Sequence, residues 1–327
     1  MPPATEPTPA ARRQPLAAQA DHAAQRLPPL HGIVPSMNTA FLDDGSLDLQ
    51  GIRRCADATI VAGVAGMLIL AVAGETASLD AAEKRQVAQA FLQQAAGRVP
   101  VIMGCSSAHQ RERLELAAMA RQLGADTMLC QVPDGLRGAA LLAQLRELAE
   151  VGPPVLMLQD LDFSGPGLPL EDIVLLHRHL PALRWLKIEV AQSGPKYSAV
   201  LSATQGRLQV SGGWAAAQMM EALHRGVQAF MPTAMDRLYV EIFRRFRRGD
   251  HAGARALHAD LAPVLAFSNQ HIGVSSRFFK ALRQREGIFT TAHCRAGVAE
   301  LDPHQRREME ANIERVLLLQ AQLTRPG

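Results

Sequence analysis

A lysine and a glutamate two residues apart, Lys187 and Glu189, lie in the segment Arg184-Trp185-Leu186-Lys187-Ile188-Glu189. The bulky neighbours Trp185, Leu186 and Ile188 predict a half-buried strand, and strand alternation turns Lys187 and Glu189 to one face. An amine in a desolvated place has its charged form disfavoured, which makes it a usable nucleophile. A carboxylate on the same face is positioned to move protons around whatever the amine binds. The plainer alternative is a lysine at a strand end, ion-paired or reaching into water. The rest of the chain has to decide between the two.

Eight short apolar segments alternate with amphipathic stretches from residue 32 onward: Gly32–Pro35, Gly66–Val72, Val99–Gly104, Thr127–Val132, Val155–Asp160, Arg184–Glu189, Leu208–Ser211 and Val227–Met231. Repeated strand–helix units imply a parallel sheet, and eight of them in about 200 residues predict a closed (β/α)8 TIM barrel. A doubly wound open sheet is the alternative, but no Gly-x-Gly-x-x-Gly follows the first strand. Turns such as Ala96-Gly97 and Leu123-Gly124 read as helix ends leading into a strand. After the eighth strand the pattern becomes helical over Met235–Arg248, His251–Phe267 and Pro303–Leu323, with Gly249-Asp250 separating the first two. The expected organisation is an arm at 1–29, a barrel at 30–234 and a C-terminal helical extension at 235–327. The arm is rich in Ala, Pro and Gln and lacks the apolar stretch of a secretory signal, so a flexible segment with a short helix around Leu16–Arg26 is expected.

Composition excludes several classes of function. A net charge of +3 is too small to argue for nucleic acid, and 4% aromatic residues leave little for base stacking. The basic run Arg244-Arg245-Phe246-Arg247-Arg248 reads as the solvated face and end of a helix. Cys55, Cys105, Cys130 and Cys294 are far apart, which suggests neither a zinc site nor a disulfide framework. The 11 histidines show no ligand spacing, so no metal and no cofactor is expected. No run of about 18 apolar residues is present for a membrane span.

In such a barrel the reactive groups gather at the C-terminal ends of the strands. Those ends supply Ser36, Asn38 and Thr39, then Val72-Ala73-Gly74-Glu75-Thr76, Ser106 and Ser107, Pro133-Asp134, Gln159-Asp160, Lys187 with Glu189, and Gly212-Gly213-Trp214. One amine on a buried strand within a polar set fits covalent catalysis on a carbonyl compound, through a protonated Schiff base that acts as an electron sink. Plainer roles stay open for several of these residues. Asp160 can cap a turn, Glu75 can serve a helix start, and Trp214 can pack the barrel top.

The segments Gly32–Phe41, Ala71–Leu79, Gly97–Gly104, Gly124–Pro133, Pro154–Gly165 and Leu186–Glu189 resemble the dihydrodipicolinate synthase / N-acetylneuraminate lyase family. The resemblance runs from about residue 30 to the end; Gly74-Glu75 after strand two and the strand-six lysine are its most specific marks. It implies a (β/α)8 barrel with extra C-terminal helices, and a lysine-dependent lyase of pyruvate-like 2-oxo acids with Lys187 as the Schiff-base former. Within the family the chain looks most like the 2-keto-3-deoxy-L-arabinonate dehydratases. That likeness rests on Met157-Leu158-Gln159-Asp160 with Ser164-Gly165, Lys187-Ile188-Glu189, Gly213-Trp214 and Phe267-Ser268-Asn269-Gln270.

The resemblance also marks departures. Aldolase members usually carry a proton-relaying tyrosine where Leu158 stands, and an acidic residue directly after the lysine rather than two positions on. Val72-Ala73 replace hydroxyl residues that usually bind the substrate carboxylate, Pro133-Asp134-Gly135 replace a tyrosine pair, and Phe163 stands where the synthases often have arginine. Glu189 is therefore expected to take a C3 proton and return it to a leaving C4 hydroxyl. The backbone N–H groups of Gly74 and Glu75, read as opening a helix, are expected to hold a carboxylate. Ser36, Thr39, Gln159, Asp160, Gly213 and Trp214 complete the expected contacts.

The function expected is a hydro-lyase acting on a 3-deoxy-2-oxo sugar acid. A pyruvate-dependent carbon–carbon aldolase or synthase, and a barrel that binds an acid without turnover, are the alternatives. The cysteines read as reduced, buried thiols of a cytoplasmic protein, and composition points to neither nucleic acid nor membrane as a partner. The helical C-terminus and the resemblance imply a homo-oligomer, a tetramer built from dimers, whose small-molecule partner is a 2-oxo acid.

Overall fold

A computed structural model describes residues 30–125, 127–213, 216–295, 298 and 300–323 of the chain. The N-terminal arm with its expected helix, and Trp214, lie outside the described residues. Eight parallel strands run in sequence order: β1 Gly32–Ile33, β2 Met67–Ile69, β3 Val101–Gly104, β4 Thr127–Gln131, β5 Val155–Asp162, β6 Leu183–Val190, β7 Gln209–Gly212 and β8 Ala229–Phe230. Each pairs with its sequence neighbours, and β1 pairs with β8. Backbone bonds from Ala65 to Ile33, Leu68 to Pro35 and Met37 to Leu68, at 2.7–2.9 Å, join β1 to β2. The sheet therefore closes on itself, and no edge remains to be protected. This is the expected (β/α)8 barrel.

The helices that return between strands are α1 Leu49–Val61, α2 Ala81–Ala95, α3 Gln110–Gln122, α4 Gly138–Val151, α5 Leu170–His179, α6 Ser193–Ala203 and α7 Met219–His224. Local sequence sets their ends. Asp80 and Glu83 form a capping box at the start of α2, and Ala96 and Gly97 stop it with positive φ.

Strand alternation divides the apolar residues into two groups. Val34, Leu68, Ile102, Leu129, Met157, Trp185 and Met231 fill the barrel interior, whereas Ile33, Met67, Met128, Leu156, Leu186 and Ile188 pack outward under the helices. Met157 and Trp185 are opposite each other across β5 and β6, so Gln159 and Lys187, two residues further along, also face inward and also pair. Glu189 continues the inward row one step nearer the mouth.

Five further helices follow the eighth strand among the described residues: α8 Asp236–Arg247, α9 His251–Asp260, α10 Ala262–Ser268, α11 Ile272–Arg285 and α12 Pro303–Leu323. Two features depart from the sequence-based expectation. The stretch His251–Phe267 is broken at Leu261, because Pro263 occupies the first turn of a new helix. An additional helix, α11, buries Val274, Phe278, Phe279 and Leu282 at helical spacing.

α11 also carries Lys280, which is fully buried, ion-paired with Glu75, and donates to the His293 carbonyl at 2.9 Å. Burial pushes its ammonium down from the usual lysine range while Glu75 opposes the shift. Arg295 sits over one side of the Phe41 ring system at 4.3 Å and binds Glu83. The C-terminal layer is thus tied to the loop after β2 by the buried Lys280–Glu75 pair, and to the start of α2 by the partly exposed Arg295–Glu83 pair.

Candidate active site

One cavity of about 510 Å3 opens at the C-terminal ends of the strands and contains Lys187. Lys187 and Glu189 come from β6, Gln159 and Leu161 from β5, Ser36 from beyond β1 and Thr233 from beyond β8. Val72 and Ala73 line it from the turn after β2, and residues 268–272 with Ser275 line it from the α10–α11 junction.

Lys187 is 4% exposed, and its Nζ lies 3.0 Å from Glu189 Oε2. The same carboxylate oxygen accepts a 2.5 Å hydrogen bond from the Gln159 amide, which neighbouring strand registry places beside it. An amine, a carboxylate and an amide therefore share one buried corner above Trp185 and Met157. A nucleophile and a proton carrier within contact distance can form an imine with a carbonyl carbon and shuttle a proton next to it.

Gly213 accounts for how the carboxylate fits. A Cβ built there would sit 2.2 Å from both Cγ and Oε1 of Glu189, closer than any real contact. Gly213→Ala is expected to push the Glu189 carboxylate off Lys187 and lower kcat by about 10²-fold, the usual cost of a 1 Å misplacement. An unchanged kcat in this variant would count against that placement of the carboxylate.

Other expected contacts are displaced. Thr39 does not line the cavity; its hydroxyl donates to the Gly74 carbonyl at 2.7 Å and fixes the β2 loop. Gly74 and Glu75 do not open a helix with free N–H groups. They belong to two tight 3-10 turns, Val72–Gly74 and Thr76–Ser78, and their N–H groups donate to Ala71 and Val72 carbonyls at 2.9 and 3.0 Å. The Glu75 side chain turns to Lys280 and accepts from the Arg295 N–H at 2.9 Å.

Asp160 alternates to the outside of β5, where it accepts from Leu168 N–H at 2.9 Å and pairs with Lys196. Leu158 likewise faces outward in the core, so the inward position next to the lysine on β5 belongs to Gln159. A register shift between Leu156 and Met157 lies just before it.

Sequence reasoning passed over Thr233, Leu161 and the α10–α11 junction as cavity walls. Segment 267–270 carried part of the family likeness, but nothing in it marked a return to the barrel mouth. Both tyrosines of the chain, Tyr197 and Tyr239, are buried away from the cavity. Burial pushes the Tyr197 hydroxyl up to about 12. Neither can relay protons at Lys187. The described residues contain no group of three or more His, Cys, Asp or Glu side chains able to hold a metal ion. No described helix is long and apolar enough to cross a membrane.

Residues 29–316 match the dihydrodipicolinate synthetase family. An L-2-keto-3-deoxyarabonate dehydratase of Azospirillum brasilense is 28% identical over 298 residues, covering 87% of this chain and 94% of that protein. A 4-hydroxy-tetrahydrodipicolinate synthase of Xanthomonas campestris pv. campestris is 31% identical over 267 residues, covering 79% of this chain and 86% of the relative. In fold, the crystal structure of dihydrodipicolinate synthase from Rhodopseudomonas palustris superposes with a TM-score of 0.80 at 22% identity, over 87% of this chain and 97% of that one.

Proposed function

Because the chain belongs to the dihydrodipicolinate synthetase family and is a lyase, we propose that it forms a Schiff base at Lys187 and removes water from a 3-deoxy-2-oxo sugar acid. The observation that carries this reading is the Glu189 carboxylate 3.0 Å from Lys187 Nζ, in a cavity that neither tyrosine of the chain lines.

The amine attacks the C2 carbonyl and expels water, leaving a protonated imine that draws electrons from C3. Glu189 takes a C3 proton to give an enamine, and the electron pair then expels the C4 hydroxyl, which leaves as water with the proton from Glu189. Hydrolysis of the imine frees Lys187, and tautomerisation of the unsaturated product yields an aldehyde at C5. The Gln159 amide orients Glu189 by its bond to Oε2. The substrate carboxylate is assigned to the wall formed by Val72 and Ala73, residues that line the cavity and whose N–H groups begin the 3-10 turn without acceptors in it. Ser36 stands on the adjacent strand end.

A carbon–carbon lyase is the second reading, favoured by the synthase relative. Retro-aldol cleavage needs a base on the C4 hydroxyl, a role that the family's tyrosine relay usually serves, and neither tyrosine of this chain lines the cavity. Incubation with 2-keto-3-deoxy-arabinonate distinguishes the two. Dehydration predicts a five-carbon semialdehyde by product mass; pyruvate plus glycolaldehyde would overturn it.

A further inference from the structure

We infer that the C-terminal helical layer, through Ser268 and Asn269, forms a subsite for the distal hydroxyl of the substrate, and so sets which 4-hydroxy-2-oxo acid is accepted. The inference rests on the reaction proposed above and extends it to specificity. Ser268 ends α10, is 0% exposed, and lines the same cavity as Lys187. Its hydroxyl has no hydrogen-bond partner among the described residues. That is unusual for a buried serine at a helix end, because the carbonyl four residues earlier is within reach. Thr204 uses that option toward Val200 at 2.8 Å and Ser276 toward Ile272 at 3.0 Å, whereas Ser268 does not. Buried hydroxyls are ordinarily satisfied, and one left free at a cavity wall points to a ligand group that completes it.

The two faces of the cavity mouth differ in the way a short polyol requires. Leu161 and Phe163 offer an apolar wall for C–H groups, while Ser268, Asn269 and Ser275 offer polar atoms on the C-terminal side. The imine and its acid–base partner belong to β6, so the reacting carbons stay at the barrel and the C5 end extends toward the helical layer.

The test compares two acids that differ only at C5, 3-deoxy-2-oxopentonate with a hydroxymethyl group and 4-hydroxy-2-oxopentanoate with a methyl. A site built to bond a hydroxyl rejects the analogue lacking it, so kcat/KM for water loss should favour the hydroxymethyl acid by at least about 10-fold. Ser268→Ala should bring that ratio to within about twofold by slowing the hydroxymethyl acid alone. Pyruvate trapping, which lacks the distal end, should be unchanged. Asn269→Ala carries the same expectation and serves if the first variant does not fold. A wild-type ratio near one, or an unaltered ratio in the variants, overturns the subsite. If neither acid loses water, the dehydratase reading falls, and the same ratio is then required of their half-saturating concentrations in borohydride trapping.

Discussion

Replacing Lys187 with alanine is expected to reduce turnover by at least about 10⁴-fold, to the level of the uncatalysed reaction in practice. The amine is the only group in the proposed reaction that makes a covalent bond to substrate, so its loss removes the electron sink rather than weakening it. Lys187→Arg separates nucleophile from charge: a guanidinium keeps the cation beside Glu189 but forms no imine. Both variants should be inactive, with Lys187→Arg the better folded of the two, because alanine leaves a buried carboxylate without its cation. Steady-state kinetics and thermal melting check these outcomes together. Residual activity in Lys187→Arg above about 1% would mean that charge, not imine formation, is what Lys187 supplies.

The second large effect belongs to Glu189. Glu189→Gln is nearly isosteric and keeps a hydrogen-bonding group beside Gln159 and Lys187, but it cannot accept the C3 proton. Imine formation should survive while kcat falls by about 10²–10⁴-fold, the range that a positioned acid–base group provides. The signature is a split, with trapping retained and turnover lost. Full activity in Glu189→Gln would remove the acid–base assignment, and loss of trapping would show that the carboxylate is needed for imine formation instead.

How much of this was legible in the sequence depended on whether period or tertiary packing fixed each residue. Lys187 and Glu189 share a strand with alternating apolar neighbours, and period-two geometry is local, so their common face could be read directly. The same rule, applied strand by strand, gives the eight-fold repeat. Asp160 was paired with Gln159 as a cavity residue although alternation sends adjacent side chains to opposite faces; only Gln159 faces in, and Asp160 holds the loop at Leu168. The loop after β2 failed for another reason. Its tight 3-10 turns consume the N–H groups of Gly74 and Glu75, and the reason Glu75 is turned away lies at Lys280, 205 positions further along the chain. The α10–α11 junction was hidden in the same way, since nothing local says that a C-terminal helix end returns to the barrel mouth. Contacts of that range are set by packing, which one sequence does not display.

The most direct test of the central claim is borohydride reduction of the protein in the presence of pyruvate, followed by intact mass and peptide mapping. A single reduced pyruvyl adduct on the peptide containing Lys187, absent from Lys187→Ala and present in Glu189→Gln, is the predicted result. An adduct that survives in Lys187→Ala, or no adduct at saturating pyruvate, would contradict it.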